Sequence, residues 1–91
     1  MTNSSTWFVY IVRCADSSYY TGITTNLERR LGEHNGTGPG TDSGARYTRS
    51  RRPVELVYSE TSASRSAASK REYAIKRLSQ LKKVELVNAG S

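Results

Sequence analysis

The sequence predicts an α+β fold, with a small three-stranded antiparallel sheet flanked by helices in the order β-β-α-β-α-α. Three runs rich in aromatic and β-branched residues indicate strands, and two segments begin at capping residues and continue with apolar residues at helical spacing. The chain has 91 residues, which is enough for one small core. We therefore expect a single domain over residues 7–91, preceded by a polar, disordered segment over residues 1–6.

The first two strands are expected to form an antiparallel hairpin. The runs over residues 7–12 and 19–24 have strand composition, and Ala15-Asp16-Ser17-Ser18 between them contains turn-forming residues. Residues 53–58 alternate between apolar and polar and predict the third strand.

Two helices are predicted from the residues at which they begin. Asn26 is a suitable N-cap for a helix over residues 27–34, which the glycines of residues 36–40 then end. Ser64 is a suitable N-cap for a second helix over residues 65–78, and a short final helix is expected over residues 82–87. Residues 36–52 are predicted to be a long loop, and such loops in small domains are often functional or mobile.

The chain is basic, with 14 Lys and Arg against 8 Asp and Glu and a net charge of +6. Ten of the 14 cations are Arg, whose guanidinium binds planar oxyanions through a fixed set of donors. Such a surface attracts polyanions and is typical of nucleic-acid-binding domains. The alternative is that the excess charge only keeps a small protein in solution.

Cysteine, histidine and hydropathy exclude several classes of protein. Cys14 is the only cysteine and His34 the only histidine, so an internal disulfide framework and a cysteine-based zinc site are excluded. No apolar run reaches the ~18 residues of a membrane span, and residues 1–6 do not resemble a signal peptide. We therefore expect a cytoplasmic protein.

Three residues of the predicted hairpin are candidates for a site. Tyr10 and Tyr20 lie on the two strands, and their phenols are expected on one side of the sheet, where cross-strand neighbours are about 5 Å apart. The alternative is that both are ordinary strand tyrosines with half-buried rings. Gly22 interrupts the second strand, which indicates either a bulge or the close approach of a ligand or another backbone, or only a tolerated loss of strand propensity.

The helices add three more candidates. Arg30 and His34 are four residues apart and share one face of the first predicted helix, where they suit a phosphate site; the alternative is that both reach solvent. Glu72 is the only acidic residue of a cationic helix and is a candidate ligand for Mg²⁺. Its alternative is an i,i+4 ion pair with Lys76.

In this order and spacing the candidates resemble the GIY-YIG nuclease domain. The matching segments are Phe8-Val9-Tyr10, Tyr20-Thr21-Gly22, Arg30, His34 and Glu72. The resemblance extends from about Phe8 to Leu78 and is greatest to the small stand-alone bacterial members. Phe8 replaces the glycine of the first motif, and Ile23-Thr24 stand where excision-repair relatives have a lysine.

The resemblance implies metal-dependent hydrolysis of a DNA phosphodiester bond. By position, Tyr10 and Tyr20 match the motif tyrosines, Gly22 the motif glycine, Arg30 the catalytic arginine and Glu72 the ligand of Mg²⁺ or Mn²⁺. His34 stands where relatives have histidine or tyrosine. The general base is left open between Tyr10 or Tyr20, assisted by His34, and His34 itself, whose ordinary pKa of about 6.5 is nearer neutrality than that of tyrosine at about 10.

The function expected from the sequence is a DNA endonuclease of low sequence specificity that acts in repair, recombination or processing, with a preference for branched, nicked or single-stranded DNA. RNA stays open as a substrate. The nucleic acid is expected to contact the basic part of the predicted loop, namely Arg46, Arg49, Arg51 and Arg52, which is otherwise a solvated basic segment. The alternatives are a non-catalytic nucleic-acid-binding module on the same fold and a protein-interaction domain.

Overall fold

Three strands form one antiparallel sheet in the order β2-β1-β3 in the computed structural model, which describes residues 6–36 and 46–90. The strands are β1 (Trp7–Arg13), β2 (Tyr19–Thr24) and β3 (Glu55–Ser62). Both pairings of β1 are antiparallel, so the predicted sheet and hairpin are confirmed. Strand β3 begins two residues later and ends four residues later than the alternating pattern predicts.

Four helices accompany the sheet in the described ranges: α1 (Leu27–Asn35), α2 (Arg46–Arg49), α3 (Arg65–Lys76) and α4 (Gln80–Gly90). The two predicted N-caps are present: the Asn26 side chain accepts from the backbone N–H of Arg29, and the Ser64 side chain accepts from that of Ala67. Helix α1 ends as predicted at Gly36, whose left-handed φ of 70° favours glycine. Helix α4 is longer than the predicted segment at both ends.

The loop predicted over residues 36–52 is wrong at residues 46–49, which form the single turn α2. This turn depends on tertiary contacts, because Thr48 within it is fully buried and bonded to α1, and four residues have little helical preference of their own. Residues 37–45 of the predicted loop lie outside the described residues, as do residues 1–5 of the predicted disordered segment.

The two faces of the sheet carry separate cores, because side chains alternate along β1. Val9 and Ile11 pack with Ala68 and Ile75 of α3 on one face. On the other face Tyr10, Val12, Cys14 and Val54 are buried, with Leu27 and Leu31 of α1 packed against them. The sheet therefore lies between α1 on one side and α3 with α4 on the other.

A bulge in β3 changes which face its residues meet. Ile11 pairs with Tyr58 and Val12 pairs with Leu56, so Val57 is an extra residue on the β3 side. As a result Leu56 packs in the core beneath α1 and Tyr58 packs in the core beneath α3.

The segment before β3 is fixed to the end of α1. The Asn35 side chain donates to the Val54 carbonyl at 3.0 Å and accepts from the Val54 N–H at 2.7 Å. The Arg52 guanidinium donates to the carbonyls of His34 at 2.6 Å and Glu33 at 3.4 Å. A cation at the C-terminal end of a helix is favourable, so these contacts hold α1 in place over the sheet.

None of the helices in the described ranges is both long enough and apolar enough to cross a membrane. That residues 7–91 form one domain stays a prediction.

Candidate active site

Tyr10 and Tyr20 lie on the same face of the sheet, but they are not direct cross-strand partners. Tyr10 pairs with Gly22 and Tyr20 pairs with Val12, so the two tyrosines are diagonal neighbours. Both rings contact His34 edge-on, with ring centroids 5.8 Å away for Tyr10 and 5.2 Å for Tyr20. The imidazole of α1 is therefore the group that brings the two phenols into one site.

Gly22 makes room for the Tyr10 side chain. A Cβ atom at position 22 would lie 2.5 Å from the Tyr10 hydroxyl oxygen and 2.7 Å from its Cζ. The β1–β2 pairing runs without interruption past this position. The strand has no bulge here, and the group that approaches the glycine is the phenol of the neighbouring strand rather than the predicted ligand or backbone.

His34 is fully buried and uses both ring nitrogens. Its Nε2 lies 2.7 Å from the Tyr10 hydroxyl and its Nδ1 lies 2.8 Å from Thr48 Oγ1. Arg30 Nε donates to the Tyr10 oxygen at 3.3 Å. With that bond in place, we assign the Tyr10 hydroxyl as donor to Nε2 and Nδ1–H as donor to Thr48, which satisfies each group. The imidazole is thus placed to take a proton from Tyr10.

The buried network changes the proton affinities of its members. Burial, together with the nearby charge of Arg30, lowers the pKa of His34 to about 4, so the ring is neutral at pH 7. Burial raises the pKa of Tyr10 to about 12, although the hydrogen bond from Arg30 opposes the rise. The charges of Tyr20 and Glu72 also contribute to the raised pKa of Tyr10. Both groups are therefore held in their neutral forms in the protein alone.

Arg30 is fixed between the phenol and a carboxylate. Its NH1 donates to Glu33 Oε1 at 2.9 Å, and the side chains of Arg30 and Glu33 are only 23% and 15% exposed. The second carboxylate oxygen of Glu33 lies 3.8 Å from Arg29 Nε. The alternative in which Arg30 and His34 merely reach solvent is therefore wrong.

Glu72 shares the electrostatic environment of the tyrosines without bonding to them. Its side chain is 22% exposed and forms the i,i+4 ion pair with Lys76, at 3.2 Å. The Lys76 Nζ lies 5.6 Å from the centre of the Tyr20 ring, and the charge of Glu72 contributes to the raised pKa of Tyr10. The structure thus contains the ion pair expected as the alternative, and places it beside the phenols.

A metal site built only from protein ligands is absent from the described ranges, where no three His, Cys, Asp or Glu side chains cluster. Mg²⁺ does not need such a cluster, because it usually keeps several waters and takes one or two carboxylates together with substrate phosphate. A single partly exposed carboxylate such as that of Glu72 fits this kind of open site.

Arg51 and Arg52 of the predicted basic segment make contacts within the protein. Arg51 donates to Asp16 Oδ2 at 3.0 Å and to the Tyr47 carbonyl at 2.8 Å, and its guanidinium lies 3.9 Å from the centre of the Tyr47 ring. Arg52 binds the end of α1, as described above. Arg49 is exposed, and the Arg46 side chain is not among the described parts of the structure. A role of these four residues in binding nucleic acid stays a prediction.

Two residues of the network were not among the predicted site residues. Glu33 could have been found from its i,i+3 spacing to Arg30. Thr48 has no local signal, because only the packing of α2 against α1 brings its hydroxyl to His34.

Comparisons with known proteins agree on one family. The sequence profile described as the GIY-YIG catalytic domain matches residues 6–85. A UPF0213 protein of Desulfotalea psychrophila is 62% identical over 89 residues, which cover 98% of this chain and 77% of the relative. A UPF0213 protein of Staphylococcus haemolyticus is 49% identical over 80 residues, covering 88% of this chain and 92% of the relative.

Solved structures show the same fold. The solution NMR structure of a UPF0213 protein from Bacillus halodurans is 40% identical, with a TM-score of 0.58, and the match covers 94% of this chain and 87% of that one. The solution NMR structure of a protein from E. faecalis is 38% identical, with a TM-score of 0.62, and the match covers 98% and 90% of the two chains.

Proposed function

This chain belongs to the GIY-YIG family of nuclease domains, and we propose that it is a metal-dependent endonuclease that hydrolyses DNA phosphodiester bonds. The observation that carries the proposal is the network in which Arg30 and His34 both bond to the Tyr10 hydroxyl. A fold that only binds nucleic acid does not need a buried phenol between a cation and a neutral imidazole.

Tyr10 is the proposed group that takes the proton of the attacking water. With a pKa of about 12 its phenolate is scarcely populated at pH 7, so Tyr10 has to lose its own proton as it accepts the new one. Nε2 of His34, at 2.7 Å, is the acceptor within reach. In this proposal His34 acts only through the Tyr10 hydroxyl, because its Nε2 is bonded to that hydroxyl and its Nδ1 to Thr48.

Substrate binding makes this transfer easier. The nearby charge of Arg30 contributes to the low pKa of His34, and a phosphodiester anion beside Arg30 offsets that charge. The affinity of His34 for a proton therefore rises when substrate is present. Arg30 in turn stabilises the negative charge that builds on the phosphate, and Glu33 holds its guanidinium in position.

Glu72 is the proposed ligand of the divalent cation, Mg²⁺ or Mn²⁺. A bound cation supplies Lewis acidity toward a phosphate oxygen and stabilises a leaving alkoxide. To accept the cation, Glu72 has to release Lys76, whose ammonium group is then available to the substrate backbone. Tyr20, beside His34 and Lys76, is proposed to orient the substrate.

A non-catalytic nucleic-acid-binding module is the second candidate. The Glu72–Lys76 ion pair favours it, because this contact neutralises the carboxylate that a metal would need. The raised pKa of Tyr10 also disfavours proton abstraction in the protein alone. The two candidates differ in whether a product forms.

Nicking of supercoiled plasmid and cleavage of a branched duplex in Mg²⁺, Mn²⁺ or EDTA separate these candidates. We expect metal-dependent cleavage that falls at least 100-fold in Glu72→Gln and in Arg30→Ala. Glu85→Gln is the matched control for Glu72, because it also breaks a helical Lys–Glu pair, at 3.5 Å, but one whose two side chains are both more than half exposed. Arg13→Ala is the control for Arg30, since it removes one exposed guanidinium.

Equal activity of all four variants would assign the cleavage to another site or to a contaminant. Binding of DNA without any cleavage would favour the binding module. An RNA oligonucleotide of the same sequence tests whether the sugar matters, and cleavage of RNA alone would contradict the DNA assignment.

A further inference from the structure

A cleft of about 390 Å³ opens beside Arg30. Its walls come from the start of β1, the end of β2 and the residue after it, the middle of α1, and the first residue of α3. They include Trp7, Thr24, Thr25, Arg29, Arg30 and Arg65. We call this region the arginine cleft. Because Arg30 lines it and also bonds to Tyr10, the cleft is continuous with the proposed active site.

The arginine cleft carries excess positive charge. Arg29, Arg30 and Arg65 face a single carboxylate, Glu33, which is already engaged by Arg30. Within the described ranges Arg65 makes no ion pair, and its guanidinium lies over the Trp7 ring. It is also the first residue of α3, whose first turn has no acidic residue. A cation at that end of a helix is opposed by the helix dipole, so the site is built to favour an anion.

The lining of the arginine cleft also contains apolar groups. These are the Trp7 ring and Ile23, and the Arg65 guanidinium carbon lies 5.9 Å from the centre of the Trp7 ring. Aromatic rings stack on nucleobases, while guanidinium groups bind phosphate through several donors. A ligand that suits both kinds of lining has an anionic group joined to a flat ring, and a nucleotide has this composition.

We propose that the arginine cleft binds a nucleotide adjacent to the one whose phosphate is cut, with its phosphate on Arg29 and Arg65 and its base or sugar against Trp7. This inference rests on the proposed nuclease function, which identifies the bound molecule as part of a nucleic-acid strand. The arginine cleft thereby fixes the nucleic-acid strand on one side of Arg30 and determines which phosphate reaches Tyr10.

Binding can be measured without cleavage, because Trp7 is the only tryptophan of the chain. The probe is a 5′-phosphorylated thymidine trinucleotide, added to the full-length protein in EDTA. We expect saturable quenching of the Trp7 fluorescence. The affinity for a fluorescein-labelled copy of the trinucleotide should fall at least fivefold in Arg65→Ala. The slope of log affinity against log salt concentration should become smaller in magnitude by about one.

Arg77→Ala is the matched control. It removes the same charge from the other end of the same helical segment, and Arg77 also lies over an aromatic ring, at 5.4 Å from the centre of exposed Tyr73. We expect its affinity to change less than twofold. Equal losses in the two variants would show that only general attraction acts, and would overturn the proposal.

Binding of the labelled trinucleotide with unchanged Trp7 fluorescence would also overturn it, because the ligand would then lie elsewhere. If Arg65→Ala melts below wild type, Arg65→Gln keeps the side-chain stem and tests the charge alone. The result is independent of catalysis: quenching and loss in Arg65→Ala, with no nicking in any metal, would leave the cleft assigned and refute the endonuclease.

Discussion

Lowering the pH from 7.5 to 5.0 is expected to destabilise this protein through His34. The ring is fully buried between Tyr10 and Thr48, and its pKa is lowered to about 4. In the unfolded chain the same ring titrates near 6.5. The folded state therefore binds fewer protons than the unfolded state between these values, and stability falls as the pH drops through that window.

The size of the effect follows from the two pKa values. A difference of one pKa unit corresponds to about 1.4 kcal/mol. The fall in the pKa of His34 to about 4 in the folded protein therefore lowers the unfolding free energy by roughly 3 kcal/mol once the pH is below both pKa values. At pH 5.0 the expected loss is about 2 kcal/mol relative to pH 7.5, and it levels off below pH 4. For a domain of this size such a loss is a large part of the total stability.

Urea denaturation at pH 7.5, 6.0 and 5.0 measures the loss in unfolding free energy. The His34→Gln variant is the comparison, because it keeps polar atoms in the site but cannot titrate. The acidic residues titrate in both proteins, so the difference between the two pH profiles isolates the imidazole. In parallel, an NMR titration of the ring protons reports on His34 directly, since it is the only histidine.

Parallel pH profiles for wild type and His34→Gln would refute the reasoning. So would a ring titration midpoint near 6.5 in the folded protein, because the imidazole would then be solvated rather than enclosed. Should His34→Gln fail to fold, the NMR titration of the wild type still decides the question.

Three further substitutions probe the surroundings of this network. Gly22→Ala places a methyl group 2.5 Å from the Tyr10 hydroxyl oxygen and should lower the unfolding free energy by about 1–3 kcal/mol in urea; wild-type stability would show that the ring moves freely. Thr48→Val deprives His34 Nδ1 of its partner and should cost about 1–3 kcal/mol in the same assay, with Thr48→Ser close to wild type. Ser64→Ala removes the N-cap of α3 and should cost about 1 kcal/mol in thermal unfolding, whereas an unchanged melting curve would mean that the cap is dispensable.

The fold could be predicted from local signals. Strand composition at residues 7–12 and 19–24, and the capping side chains of Asn26 and Ser64, each act within a few residues, so the sequence displays them directly. The turn α2 could not be predicted, because it is stabilised by the hydrogen bond between the buried Thr48 hydroxyl and His34 of α1, which is distant in the sequence. The strand order and the bulge at Val57 likewise depend on pairings between distant segments.

The site could be predicted in part. The i,i+4 spacing placed Arg30 and His34 on one face, and the family resemblance joined them to Tyr10. The spacing did not reveal that His34 is enclosed, since burial depends on α2. The internal contacts of Arg51 and Arg52 were also hidden, because a sequence of basic residues does not show which carbonyls and carboxylates lie opposite them.

The bulge in β3 means that this strand holds one residue more than its pairing with β1 needs. Removing Val57 would leave Tyr58 opposite Ile11 and Leu56 opposite Val12 in a regular ladder, so both side chains would keep their faces and Val54 and Arg52 would keep their places at the end of α1. Adding a residue would instead require a second unpaired position in the strand. Among relatives we therefore expect a one-residue deletion in this stretch more often than an insertion, so that tolerance to a change of length depends on its sign.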